Sequence, residues 1–141
     1  MPTNFDARLA NLKTRHQNLI HRPNQIHPDW DNGVFERYRH PVVTAEHTPL
    51  AWRYDLNRDT NPHCMERLPM NAAFNAGAMY RDGKVLMILR MEGSDRKSFF
   101  AIAESKTGTD GFEFWDEPLV MPETDRPDVN VYDMRLTEHE D

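Results

Sequence analysis

Cysteine is almost missing from this 141-residue chain: Cys64 stands alone, so neither an internal disulfide nor a thiolate zinc cluster can form. Apolar side chains are scarce as well, at 38% with tyrosine counted. The mean hydropathy of -0.80 is low for a chain that buries a full core of its own. No apolar run approaches membrane-spanning length, and the first residues lack the apolar core of a signal peptide. There is no Asn-x-Ser/Thr glycosylation site. A soluble cytoplasmic protein is expected, with no membrane partner. The seven histidines include no His-x-x-x-His pair, and the adjacent His63 and Cys64 suit neither a tetrahedral site nor a nucleophile–base pair, so no metal site is expected. Asn75-Ala76-Gly77 has no glycine-rich phosphate cradle around it.

Charge is present but uneven. The formal net charge is -6, and residues 104–141 hold twelve acids against Lys106, Arg126 and Arg135. No basic stripe runs along the chain, which argues against nucleic acid as a partner. Acidic residues of this kind serve as a solvated face, or as acceptors for sugar hydroxyls.

Phe5, Leu9, Leu12, His16 and Leu19 recur at three- and four-residue steps and predict an amphipathic helix, started by Thr3 with Asp6 and stopped before Pro23. Its stripe packs on its own chain or seals a contact between subunits; a homo-oligomer is expected. From His21 to Met70 the His-Pro, Asn-Pro and Arg-Pro steps favour extended backbone, with a short strand possible at Leu50–Tyr54. So long a segment needs something larger to pack against.

After Met70 the texture becomes that of strands. Arg81-Asp82-Gly83 marks a hairpin turn between Ala78–Tyr80 and Lys84–Arg90. Ser98–Glu104 is a third strand, Thr107–Gly111 a turn, and Phe112–Trp115 opens an outer strand reaching Met121. Four strands in so short a stretch match one propeller blade. A second blade is expected from Val129, with Asn130–Thr137 as its first strand and the chain stopping within its first hairpin. The expected organisation is therefore residues 1–70 as helix and wrapping segment and 71–141 as the beginning of a truncated β domain.

A set of polar residues falls at strand ends: Asn75, Arg90, Asp95, Arg96, Asn130, Tyr132, Asp133 and Arg135. Alternation would put Val131, Asp133 and Arg135 on one face and Asn130, Tyr132 and Met134 on the other. From the pattern alone Asp133 is either a surface partner of Arg135 or an acid at a site. Trp52 and Trp115 are either packing residues or platforms for a sugar.

The stretches RLPMNAAFNAGA (67–78), LRMEGSDRKSFFAIAES (89–105) and FWDEPLVMPETDRPDVNVYDMRLTEHED (114–141) resemble glycoside hydrolase family 130, and within it the phosphorylases of mannosyl-glucose. RHQNLIHRPN (15–24) and HTPLAWRYDLN (47–57) extend the similarity over nearly the whole chain. The resemblance implies an all-β, five-bladed β-propeller, here with its first blade and the start of the second. It also implies a glycosyltransferase-type phosphorylase that turns a β-mannoside and phosphate into α-mannose 1-phosphate and glucose. An inverting hydrolase needs a carboxylic acid and a carboxylate base; phosphate arrives anionic, so one acid and a cationic pocket suffice.

By the same resemblance Asp133 is the general acid, passing its proton through the mannosyl 3-hydroxyl. Asn75, Arg90 and Tyr132 line the mannose site, and Arg96 and Arg135 face phosphate. No cofactor is implied, phosphate being a co-substrate. The family's other phosphate-holding basic residues fall beyond Asp141, so the chain by itself is expected to be inactive. Alternatives on the same scaffold are a phosphorylase of β-1,4-mannooligosaccharides and a β-mannoside hydrolase; from another class, a non-catalytic sugar-binding or assembly module.

Overall fold

The computed structural model describes residues 4–122, 125 and 130–139. Helix α1 spans Asn4–Ile20 and buries Phe5 and Ile20, with Leu9, Leu12, His16 and Leu19 half-buried along the same stripe. Its predicted starting residue Thr3 lies outside the described residues. The helix is held by the segment that follows it: Arg58 pairs with Asp6 at 2.6 Å, Arg8 donates to the His63 carbonyl at 2.8 Å, and His16 Nε2 sits 3.0 Å from the Thr48 carbonyl oxygen.

Residues 21–69 wrap, as the prolines dictate, with two short 3₁₀ turns at Pro28–Trp30 and Ala45–His47. Asn24 fastens this wrap to the sheet. Its backbone amide donates to Asp110 Oδ2 at 3.0 Å, and its side-chain amide donates to the carbonyls of Thr109 and His40 at 2.9 and 2.8 Å. The expected strand at Leu50–Tyr54 is instead a single helical turn, α2, Leu50–Arg53. Pro49 precedes it, and its carbonyl accepts from the Trp52 amide at 3.0 Å. The turn carries Trp52 edge-on to Phe99 and Phe114, with ring centroids 5.8 and 5.9 Å away. Trp52 is therefore a packing residue.

Four antiparallel strands follow in sequential order: β1 Met70–Arg81, β2 Lys84–Gly93, β3 Ser98–Ser105 and β4 Glu113–Phe114. The β1–β2 hairpin closes on Asp82-Gly83, both at positive φ (51° and 79°), the two-residue turn whose twist matches its strands. Strand β1 carries two irregularities. Asn71 is skipped between the pairs Met70–Gly93 and Ala72–Glu92, and Asn75-Ala76 oppose a single residue between Phe74–Arg90 and Gly77–Ile88. Asn75 adopts a left-handed φ of 40° there, as a bulge requires.

The expected outer strand to Met121 is shorter. Beyond Phe114 the Trp115 amide still donates to the Ile102 carbonyl at 2.9 Å; the pairing is interrupted at Asp116-Glu117-Pro118, where the proline cannot donate to a ladder, and returns as one bridge between Leu119 and Phe100.

Both sheet faces are covered. Leu89, Met91, Ala101, Ala103 and Phe112 form a core under Val42, Val43 and Trp52 of the wrap. On the opposite face Ile88, Phe100 and Ile102 are packed by Leu119, Val131, Met134 and Leu136. Residues 130–139, of which Asn130–Thr137 are expected as a strand, make no ladder. They cross the sheet as an irregular strap, broken by Asp133 at φ 39°. The alternation read from the sequence fails with it: Val131, Met134 and Leu136 turn to the sheet, while Tyr132, Asp133 and Arg135 are exposed. The expected second-blade start at Val129 and the polar end at Glu140-Asp141 lie outside the described residues. The observed architecture is thus a four-stranded antiparallel sheet preceded by a helix and a wrap.

Candidate functional site

The strap and the bulge of β1 meet at one end of the sheet. Gly77 makes this possible. A Cβ there would stand 2.8 Å from the Met134 carbonyl oxygen and 3.0 Å from the Arg135 Cα, so only glycine lets the strap backbone lie against β1. Ser98 at the start of β3 fixes the other side: its amide and hydroxyl donate to Asn130 Oδ1 at 3.0 and 2.8 Å, and the hydroxyl also reaches the Val131 carbonyl at 3.2 Å.

Held between these points, Asp133 faces the bulge, and Asn75 Nδ2 donates to Asp133 Oδ1 at 2.7 Å. Both residues are in the left-handed region, which aims two short polar side chains at each other from opposed backbones. Asp133 Oδ2 has no partner among the described residues. The neighbouring Tyr132 ring, 66% exposed, lies 4.4 Å by its centroid from the Arg90 guanidinium carbon; the Phe74 ring lies 5.2 Å from the same carbon. Cation–π contact with two rings and an ion pair with Glu92, Nη2 to Oε2 at 3.8 Å, hold this arginine on the strap side of the sheet. Its Nε is buried and has no hydrogen-bond partner among the described residues.

Asn75, Arg90, Tyr132 and Asp133 therefore come together from β1, β2 and the strap. Arg96 and Arg135 do not join them. Arg96 sits at φ 66° in the β2–β3 turn, and its guanidinium makes no hydrogen bond or ion pair among the described residues. Arg135 donates to the Met134 carbonyl at 3.1 Å and forms no ion pair with Asp133 among the described residues. Asn130 has a plain structural use in anchoring the strap. Glu92, Asn71 and Phe74 were missed in the sequence; Glu92 carried a signal, standing two residues from Arg90 on the same strand face.

The four residues form an open shelf. Two larger clefts lie elsewhere: one of about 390 Å³ between α1, Tyr54 and Cys64, and one of about 420 Å³ beside Lys84 and Glu104. No group of three His, Cys, Asp or Glu that could hold a metal occurs among the described residues. Nor is any described helix long and apolar enough to cross a membrane. Chemically, the shelf offers a carboxyl oriented through one oxygen, an amide, a fixed cation and an aromatic face, the groups that recognise hydroxyls and an apolar ring face of a sugar.

No family model matches the chain. It is 56% identical over 137 residues, 97% of its own length, to 4-O-β-D-mannosyl-D-glucose phosphorylase of Bacteroides fragilis. The chain spans about a third of that relative, 35% of its length. The match bears out the resemblance read from the motifs.

Proposed function

We propose that this chain, homologous along nearly its whole length to a mannosylglucose phosphorylase, carries the acid and the mannose-binding side of an inverting phosphorylase of glycoside hydrolase family 130. The reaction is 4-O-β-D-mannosyl-D-glucose plus phosphate giving α-D-mannose 1-phosphate and D-glucose. The proposal rests on the convergence of Asn75, Arg90, Tyr132 and Asp133 in a chain 56% identical to an enzyme so named. In this assignment β1–β4 are the first blade of a five-bladed propeller, residues 1–70 wrap it, and the protein is a cytoplasmic homo-oligomer. Four sequential antiparallel strands support the blade.

A phosphate oxygen attacks the mannosyl anomeric carbon from the face opposite glucose, and the bond from that carbon to glucose O4 breaks. The departing oxygen takes a proton from the mannosyl 3-hydroxyl, which is reprotonated by Asp133. Because Asn75 occupies Oδ1, Oδ2 is the oxygen that holds the transferable proton. Arg90 and Tyr132 hold the mannosyl ring, and Arg96 and Arg135 approach the phosphate from the turn and the strap.

In the protein expressed from its complete gene, Asp133→Asn keeps shape and removes the proton. General acid catalysis contributes about 10²–10⁴-fold, so kcat should fall by that order with mannosyl-glucose binding kept. A β-mannoside whose leaving group needs no proton should recover most of the rate. Near-normal turnover of mannosyl-glucose by the Asn variant would sink the assignment.

A further inference from the structure

We propose that Glu92, steadied by Asn71, is a positioning residue that sets the direction of the Arg90 guanidinium for the sugar. This rests on the phosphorylase assignment above and adds a residue to it. Glu92 is 8% exposed and follows Arg90 by two residues, so both side chains leave the same face of β2. On that face Ile88 is apolar and packed, and an apolar residue at 92 would be buried without the desolvation that a carboxylate incurs. Each carboxylate oxygen nevertheless faces a partner. Oε1 accepts from Asn71 Nδ2 at 2.5 Å, and Oε2 faces Arg90 Nη2 at 3.8 Å. Asn71 reaches it because it is the residue skipped in the β1–β2 register, where a bulge re-aims a side chain.

The geometry is not that of a pair built for stability alone. Arg–carboxylate pairs made for strength use two parallel N–H donors at hydrogen-bond distance. Here the charge lies 3.8 Å away at one end of the guanidinium, and Nε is buried without a hydrogen bond among the described residues. Phe74 and Tyr132 contact the guanidinium within cation–π range. Glu92 thus turns Arg90 and leaves donors for hydroxyl acceptors, as a preorganised site requires.

The test uses Glu92→Gln, Glu92→Asp and Asn71→Ala in the protein expressed from its complete gene. A misdirected Arg90 loses its hydrogen bond to a sugar hydroxyl, and a hydrogen bond to a charged group corresponds to about 10- to 100-fold. The Glu92→Gln KM for mannosyl-glucose should therefore rise by that factor, with kcat and the phosphate KM changed less than about threefold. Glu92→Asp restores the charge and should recover part of the loss. Asn71→Ala should shift the same constant in the same direction by a smaller factor. An unchanged mannosyl-glucose KM in Glu92→Gln overturns the proposal, as does a loss spread equally over kcat and both KM values.

If the unmutated enzyme releases no mannose 1-phosphate, the phosphorylase assignment fails by itself. Positioning is then read in the 141-residue chain from the Arg90 Nε–H resonance. Glu92→Gln should move it and speed its solvent exchange; an unmoved resonance with unchanged exchange refutes positioning.

Discussion

At the scale of single residues, His47 ties acidity to the integrity of the wrap. It is 4% exposed, and the Thr44 amide donates to its Nδ1 at 3.0 Å, which requires that nitrogen to be unprotonated. Burial first, then the nearby charges of Arg22 and His16, hold its pKa below the ordinary histidine value. The folded state therefore favours the neutral ring, while the unfolded chain takes up a proton near about pH 6.5. The associated stability is complete above that pH and is lost as pH falls from there toward the depressed folded value. Chemical unfolding followed between about pH 7.5 and 5.5 should show declining stability. His47→Gln, which cannot titrate, should flatten the decline while lowering stability at neutral pH. An identical slope in both proteins would remove His47 from the account.

At the scale of elements, the strap at residues 130–139 and the bulge of β1 form the candidate site jointly, and Gly77 is where their backbones touch. Gly77→Ala pushes a methyl into backbone atoms at 2.8–3.1 Å, which cannot rotate away as a side chain would. The strap must lift, taking Asp133 from Asn75. Under the proposed assignment, phosphorolysis by the protein from the complete gene should fall more than about tenfold, as misplacement of a catalytic group by about 1 Å would cause. The sheet should survive, since its buried core of Leu89, Met91 and Phe112 lies on the opposite face. Unimpaired kinetics in Gly77→Ala would show that the strap position is not critical.

The same elements explain what could be read beforehand. Helix α1 was legible because the period of Phe5, Leu9, Leu12, His16 and Leu19 is set by the helix itself. The β1–β2 hairpin was legible because Asp82-Gly83 is local turn chemistry. The strap was misread because strand alternation at 130–137 was overridden by packing onto Ile88, Phe100 and Ile102, a tertiary effect. Asn75, Arg90, Tyr132 and Asp133 are singled out by resemblance. Their meeting depends on a bulge and two left-handed residues, and no local pattern announces it.

At the scale of the whole molecule, the chain packs around a sheet clothed on one face by the wrap and on the other by the strap. Asn24 ties the wrap to the sheet, its side chain bonding to His40 and Thr109 and its backbone amide to Asp110. Asn24→Ala removes the side-chain bonds, each worth about 1 kcal/mol net. Amide hydrogen exchange should quicken in residues 21–44 and stay unchanged in β2 and β3; uniform quickening throughout would mean that wrap and sheet open as one unit. The staple also sets a timetable. During synthesis α1 and the wrap leave the ribosome first, yet Asp110 comes 86 residues after Asn24. At about 5–20 residues per second this is a wait of roughly 4–17 s. For much of it Val42, Val43 and Trp52 have no finished sheet to cover, so the part of the molecule made first waits for a later part to hold it in place.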